Sequence, residues 1–265
     1  MARESYCSCM QRRVLATAGP RLAPVLALAA VATLGLGCAH APTRPTDVPG
    51  FTLEQITPRV WRHTSWKRLP SGPFPSNGLL VCDASSGRGV LVDTAWTPED
   101  TLTLLARARA MGCPVKALLV THFHDDRLGG LAEVVAAGAE SWARPETPGL
   151  AGFSPGWDPK QHPEDGVVQG LEVFYPGPAH APDNVVVWVP GDEVLFGGCM
   201  VRAAADTSPG NLSHADLRAW PPSAQRLMDR FPEPRVVVPG HGAPGGPELL
   251  HHTLRLVQEA APRAP

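Results

Sequence analysis

Short apolar runs closed by Gly, Asp or Ser recur along this chain, and helical patterns separate them. Residues 54–65 and 78–93 read as strand regions, the second built from the runs Gly78 to Cys82 and Gly89 to Asp93. Thr97-Pro98-Glu99-Asp100 then opens a helix that runs to about Met111. Thr97 can cap it, Pro98 suits the first helical position, Asp100 completes a capping box, and Leu102, Leu104, Leu105 and Ala108 fall near one face. Val115 to Val120 predicts a buried strand, and Gly129-Gly130 leads into a helix over roughly 128–137. Residues 143–170 are loop-rich and carry no assignable periodicity. Strands are expected over 171–175, 185–189 and 193–196, the last two joined by a turn at Pro190-Gly191-Asp192. A helix over 216–231, with Pro221-Pro222 as an internal start or kink, precedes a strand over 235–238 and a last helix over 247–259. Strands with helices interspersed, then strands again, predict an α/β domain of two sheets packed face to face with helices outside.

The first 37 residues do not fit that pattern. Arg12, Arg13 and Arg21 precede an apolar run from Ala23 to Gly37, too short for a membrane span, and Cys38 follows. A charged start and a short apolar stretch read as a signal peptide over 1–37, with 38–50 a tether and 51–262 the folded domain. Two cleavage outcomes compete: a lipoprotein site at Gly37-Cys38, which would make Cys38 a lipid anchor, and ordinary cleavage near Ala39-His40-Ala41. Either way the chain is expected to be exported to the periplasm. Within the domain, Cys82 and Cys113 could pair in an oxidising compartment, but two buried unpaired thiols are the simpler expectation. A net charge of -2, with no basic run beyond Arg12-Arg13, argues against nucleic-acid binding.

The chemistry is concentrated directly after the strand at 115–120. Thr121-His122-Phe123-His124-Asp125-Asp126-Arg127 places two imidazoles and a carboxylate at alternate positions of a loop, where they can converge on one point. Loops at the carboxyl ends of strands are where α/β sheets place their sites. His180 lies in a Pro-rich frame, Cys199 follows Gly197-Gly198, and His241 sits in Pro239-Gly240-His241-Gly242. A lone histidine or buried cysteine means little; the joint set of four imidazoles, a carboxylate and a thiol is an inventory for two zinc ions. A pair of such ions is a hydrolytic device.

With these residues in view the chain resembles the metallo-β-lactamases, and within them the broad-spectrum di-zinc subclass B1. The resemblance covers roughly residues 52–258 and rests on PSNGLLV (75–81), LVDTAW (91–96), THFHDDRLGG (121–130), FYPGPAHAPDNVVVWVP (174–190), LFGGC (195–199), GNLSHADLRAWP (210–221) and VVPGHG (237–242). Arg127 after Asp126, and Cys199 as a metal-binding thiolate, separate this pattern from glyoxalase-like and lactonase-like relatives, so a thioester or lactone substrate is disfavoured. The resemblance implies an αβ/βα four-layer sandwich of two mixed sheets with helices on the outer faces, and a monomer. It implies one zinc on His122, His124 and His180, a second on Asp126, Cys199 and His241, and hydrolysis of a β-lactam amide by zinc-activated water. Asp126 and Asn211 are then the catalytic candidates, Asp126 positioned on the metal and Asn211 polarising the lactam carbonyl. Arg202 would pair with the substrate carboxylate, and Trp66, Leu69 and Phe74 would belong to a mobile flap over residues 64–75. Asp93 and Arg127 are expected to support the metal loops.

Overall fold

Strand side chains point alternately to two faces, and in this protein both faces of most strands are apolar. In the computed structural model, which describes residues 47–261 apart from Ala84, Ser154 and Pro155, this produces three stacked cores. The predicted leader, the acylation site at Cys38 and most of the tether lie outside the described residues.

One sheet has seven strands in sequential order: β1 (Thr52–Gln55), β2 (Val60–Leu69), β3 (Gly72–Asp83), β4 (Arg88–Val92), β5 (Val115–Leu119), β6 (Glu140–Ala143) and β7 (Lys160–Gln161). Its first four strands are antiparallel and the rest parallel. The other sheet has the order β12-β11-β10-β9-β8, comprising β8 (Asp165–Val168), β9 (Leu171–Phe174), β10 (Val186–Val189), β11 (Val194–Gly198) and β12 (Val236–Pro239). Only its β11–β12 pair is parallel.

The alternation assigns each residue to a layer. Leu79, Val81, Val90, Val92 and Leu119 meet Val187, Val189, Phe196 and Val238 between the sheets. Leu80, Leu91 and Leu118 face outward onto α1 (Pro98–Ala110), α2 (Asp125–Leu128) and α3 (Leu131–Ala136) through Leu104, Leu128 and Val134. Val186, Leu195 and Val237 face the opposite way, onto α5 (Trp220–Arg230) and α6 (Glu248–Ala260) through Trp220, Leu227 and Val257. A single turn, α4 (Thr147–Leu150), completes the set of described elements. The result is the expected helix–sheet–sheet–helix sandwich.

Several expectations need correction. The strand region 54–65 is two strands, because the turn after β1 reverses the chain and Val60 donates to the carbonyl of Thr57. Residues 64–75 do not form a loop; they are the paired ends of β2 and β3, in register from Thr64↔Asn77 to Leu69↔Gly72. The helix expected over 128–137 is the pair α2 and α3, interrupted at Gly129-Gly130. Residues 143–170 hold α4 and the short strands β7 and β8, of two and four residues, too brief to leave a periodic trace. Thr97 does cap α1, accepting from the amide of Asp100 at 3.2 Å.

Cys82 and Cys113 are joined in a disulfide, with Cα atoms 5.7 Å apart, so the expectation of unpaired thiols is wrong. Tertiary register brings them together: Cys82 pairs with Gly89 across β3–β4, and the amide of Gly89 donates to Pro114 on the far side. A Cβ at Gly89 would lie 3.0 Å from the Cys113 sulfur, so the glycine leaves the room through which the bridge passes. Closing a loop of sequence separation 31 is worth about 3–4 kcal/mol on the chain-entropy account. The double variant Cys82→Ala/Cys113→Ala is therefore expected to lose about 2–4 kcal/mol in urea unfolding, and a loss under about 1 kcal/mol would show that the bridge contributes little.

Candidate metal centre

The rim where the two sheets meet collects loops from both halves. His122, His124 and Asp126 leave the end of β5, His180 sits between β9 and β10, Cys199 directly follows β11, and His241 follows β12. Three ligand groupings result: His122 with His124 and Asp126; Asp126 with Cys199 and His241; and His122 with His180 and Cys199. In each, all ligand atoms lie within 4.8 Å of one another. His122, Asp126 and Cys199 belong to two groupings each, so the six predicted ligands form one continuous cluster.

Its two halves differ chemically. The rings of His122, His124 and His180 meet edge-to-face with centroids 4.8–5.1 Å apart, and His124 Nδ1 is 3.1 Å from His180 Nε2. In the other half, Cys199 Sγ is 3.2 Å from His241 Nε2 and 3.5 Å from Asp126 Oδ2, and those two atoms are 3.4 Å apart. Ligand atoms on a tetrahedral zinc with bonds of 2.0–2.3 Å are separated by roughly 3.3–3.8 Å, so this triangle has nearly the edge lengths of a zinc site.

The ring nitrogens are also presented correctly. His241 Nδ1 donates to the carbonyl of Pro75 at 2.6 Å, which leaves Nε2 with a lone pair toward Cys199. His122 Nδ1 is 3.2 Å from Thr121 Oγ1, while its Nε2 is buried with no protein partner, a costly state unless a metal takes that lone pair. Burial, reinforced at His122 by the neighbouring His180, holds the imidazole pKa values of His122 and His180 down, that of His180 to about 3. His241 is lowered to about 4, again chiefly by burial. All three are neutral and ready to ligate at pH 7.

Arg127, fully buried, organises the second half. Its guanidinium reaches Asp126 Oδ2 through Nε and Nη2, Asp93 Oδ2 and the Asn77 carbonyl through Nη1, and Ser76 Oγ and the Gly240 carbonyl through Nη2. It thereby ties together the loops carrying Asp126 and His241. Burial would raise the Asp126 carboxyl, but Arg127, followed by His241, outweighs it and holds the group well below the usual carboxylate range. Asp93, at a φ of 60° that few non-glycine residues adopt, receives the amide and hydroxyl of Thr121 at 2.7 and 2.8 Å. Burial lifts its pKa to about 6 against the pull of Arg127. Burial raises the Cys199 thiol far above its ordinary value, so metal binding must displace its proton. At Gly240 a Cβ would lie 2.6 Å from both the Cys199 amide nitrogen and its sulfur, so only glycine lets the two loops meet.

The profile of the Metallo-beta-lactamase superfamily matches residues 71–241, the stretch that contains all six ligands. The chain belongs to the metallo-β-lactamase superfamily. It is 34% identical over 224 residues to the metallo-beta-lactamase type 2 of Bacteroides fragilis, covering 79% of this chain and 86% of that one. Against the type 2 enzyme of Bacillus cereus the identity is 33%, over 78% and 83%. Among solved structures, the metallo-beta-lactamase from Pontibacter korlensis is 39% identical with a TM-score of 0.73, over 79% of this chain and 99% of that one. FIM-1 from Pseudomonas aeruginosa, in its mono-zinc form, is 34% identical with a TM-score of 0.75, over 82% and 98%.

Around this candidate centre the remaining candidates are unevenly placed. Phe74 lies against His241 with centroids 4.8 Å apart and ring planes tilted by 49°. Trp66 does not join it: Phe74 stands opposite Lys67 in the hairpin and Trp66 opposite Pro75, so the two aromatic rings lie on opposite faces. Trp66 instead lines a cavity of about 560 Å³ with Phe51, Arg62 and Thr64. Leu69, two residues after Lys67, shares its face. Arg202 is buried, its guanidinium paired with Asp206 at 2.9 Å and packed under Gly210. Asn211 is exposed; its amide oxygen accepts from the Ser213 amide and hydroxyl, which leaves its NH2 group to donate outward.

Residues that the sequence did not point to complete the surroundings. Lys67 lies over the Trp96 ring and bonds Asp125 at 2.7 Å, linking hairpin to metal loop. Asn77 donates to the carbonyls of Pro239 and Gly242 on either side of the His241 turn. His214 Nδ1 lies 2.9 Å from His124 Nε2. Only the period-two alternation of β2 could have singled out Lys67; Asn77 and His214 fall within the matching stretches 75–81 and 210–221, but nothing local gives either of them its partner.

Proposed function

We propose that this protein hydrolyses the β-lactam amide of penicillins, cephalosporins and carbapenems, using two zinc ions per chain, and so confers antibiotic resistance. The observation that carries the reading is the Asp126–Cys199–His241 triangle beside three converging imidazoles. Relatives at about a third identity are metallo-beta-lactamases, one solved in a mono-zinc form, and DIM-1, a metallo-beta-lactamase 35% identical, has a crystal structure exposed to ceftazidime.

Zinc held there would supply a Lewis acid and the means to activate water near neutral pH. The chain's own residues do the rest. His122, His124 and His180 would hold one ion, and Asp126, Cys199 and His241 the other. Asp126 is pinned by two bonds from Arg127, so it positions rather than moves protons. The Asn211 NH2 group is the donor offered to the lactam carbonyl oxygen. Arg202 is the cation nearest in role to a carboxylate anchor, and Asp206 already shares its charge. Phe74 and Trp96 give the apolar wall beside His241.

Export to the periplasm, with residues 1–37 as the leader and Cys38 as a candidate lipid anchor, fits the Cys82–Cys113 disulfide, since such bridges persist in oxidising compartments. A monomer is the expected state. The purified chain from residue 39 is expected to hydrolyse a carbapenem and a chromogenic cephalosporin, lose the activity in chelator, and regain it with about two equivalents of zinc. Absence of turnover on either substrate with zinc bound would overturn the assignment.

A further inference from the structure

We infer that His214 is a positioning residue for the three-histidine metal site: it holds His124 in the ring orientation and tautomer that turn Nδ1 toward the metal. The inference rests on the proposed metal occupancy of that site. His124 has two faces to satisfy. Its Nδ1 points into the cluster, 3.1 Å from His180 Nε2, and its Nε2 points the other way, 2.9 Å from His214 Nδ1. A neutral imidazole carries one proton. If Nδ1 keeps its lone pair for the metal, the proton must sit on Nε2, and Nε2 then donates to His214. That in turn obliges His214 Nδ1 to be the acceptor and places the His214 proton on its own Nε2. One hydrogen bond thus sets the tautomers of both rings.

The pair is held mechanically as well. Phe123 packs edge-on against both imidazoles, with centroids 4.5 Å from His124 and 4.9 Å from His214. The segment carrying His214 is preset by its own bonds: Asn211 accepts from Ser213, and the Asp216 amide donates to the carbonyl of Ala179 at 2.9 Å, next to His180. The exposed His214 therefore comes from a turn anchored to the loop of another ligand, which favours a positioned partner over a chance surface contact. An imidazole acceptor adds no negative charge to the site, so its contribution is orientation more than an increase in ligand basicity.

The test compares His214→Ala, which removes the acceptor, with His214→Asn, whose amide oxygen can stand close to where Nδ1 lies. Zinc dissociation constants for both equivalents would be measured by competition with a chromophoric chelator, and cobalt-substituted spectra recorded, on chains whose metal-free unfolding curves match the parent. His214→Ala is expected to weaken the three-histidine site about 10–100-fold, the usual cost of losing an outer partner of a metal ligand, and to leave the cysteine site within about threefold. His214→Asn is expected to recover most of that loss. Parent-like zinc affinity in His214→Ala, or no recovery in His214→Asn, would overturn the positioning role while leaving the metal reading intact. A parent chain that bound no zinc would overturn both.

Discussion

Cys199→Ser is expected, on the proposed two-zinc reading, to reduce bound zinc from two equivalents to about one and to cut turnover by on the order of 100-fold or more, because changes merely to outer partners of metal ligands already cost about 10–100-fold. The substitution is nearly isosteric, yet it removes the one ligand of the cluster that becomes a soft anion on binding. Cys199 is only 1% exposed, and burial keeps its thiol protonated until a metal takes the proton's place. Serine has no comparably accessible anion, so Asp126 and His241 would be left as a two-ligand remnant. Cys199 makes its polar contacts with Asp126 and His241 and lies in no apolar cluster, so metal-free stability should change little. Zinc content by atomic emission and kcat at fixed free zinc check the expectation. Retention of two equivalents with unchanged turnover would remove Cys199 from the centre.

Arg127→Met should produce the largest loss of stability. The guanidinium is fully buried and lies between two buried carboxylates, those of Asp126 and Asp93, while also satisfying two backbone carbonyls. Methionine preserves much of the volume but leaves both carboxylates without their cation. Breaking a buried ion pair in this one-sided way costs about 3–5 kcal/mol. Urea unfolding of the metal-free variant measures it. Saturating zinc should restore part of the deficit, because a metal on Asp126 replaces the missing positive charge and binds only the folded state. A metal-free loss below about 1 kcal/mol would mean that the Arg127 network is not what holds the two loops.

The contrast between these two positions shows why the convergence of the donor side chains could be read without coordinates. His122, His124 and Asp126 lie on five consecutive residues after an apolar strand, so their convergence follows from local geometry. His180, Cys199 and His241 each stand in a loop whose glycines or prolines announce a constrained backbone, and Gly240 shows the constraint directly in its approach to Cys199. The layer order was legible for the same reason: runs such as Leu79 to Cys82, apolar on both faces, describe a strand buried on two sides.

What sequence alone marked out, then, was the group of candidate donor side chains that the fold gathers, and the alternation of strands and helices, because both are written in spacings of a few residues. Contacts between segments far apart in the chain were decided only by tertiary structure. The partner of Cys82 depends on register across β3, β4 and β5. Whether Trp66 or Phe74 faces the metal loops depends on a one-residue phase in a hairpin that carries little apolar alternation near its tip. Ninety residues separate His124 from His214, and the docking of one loop by the Asp216–Ala179 bond makes them neighbours. Short-range periodicity encodes which faces must be buried, while the packing of those faces determines which distant side chains meet.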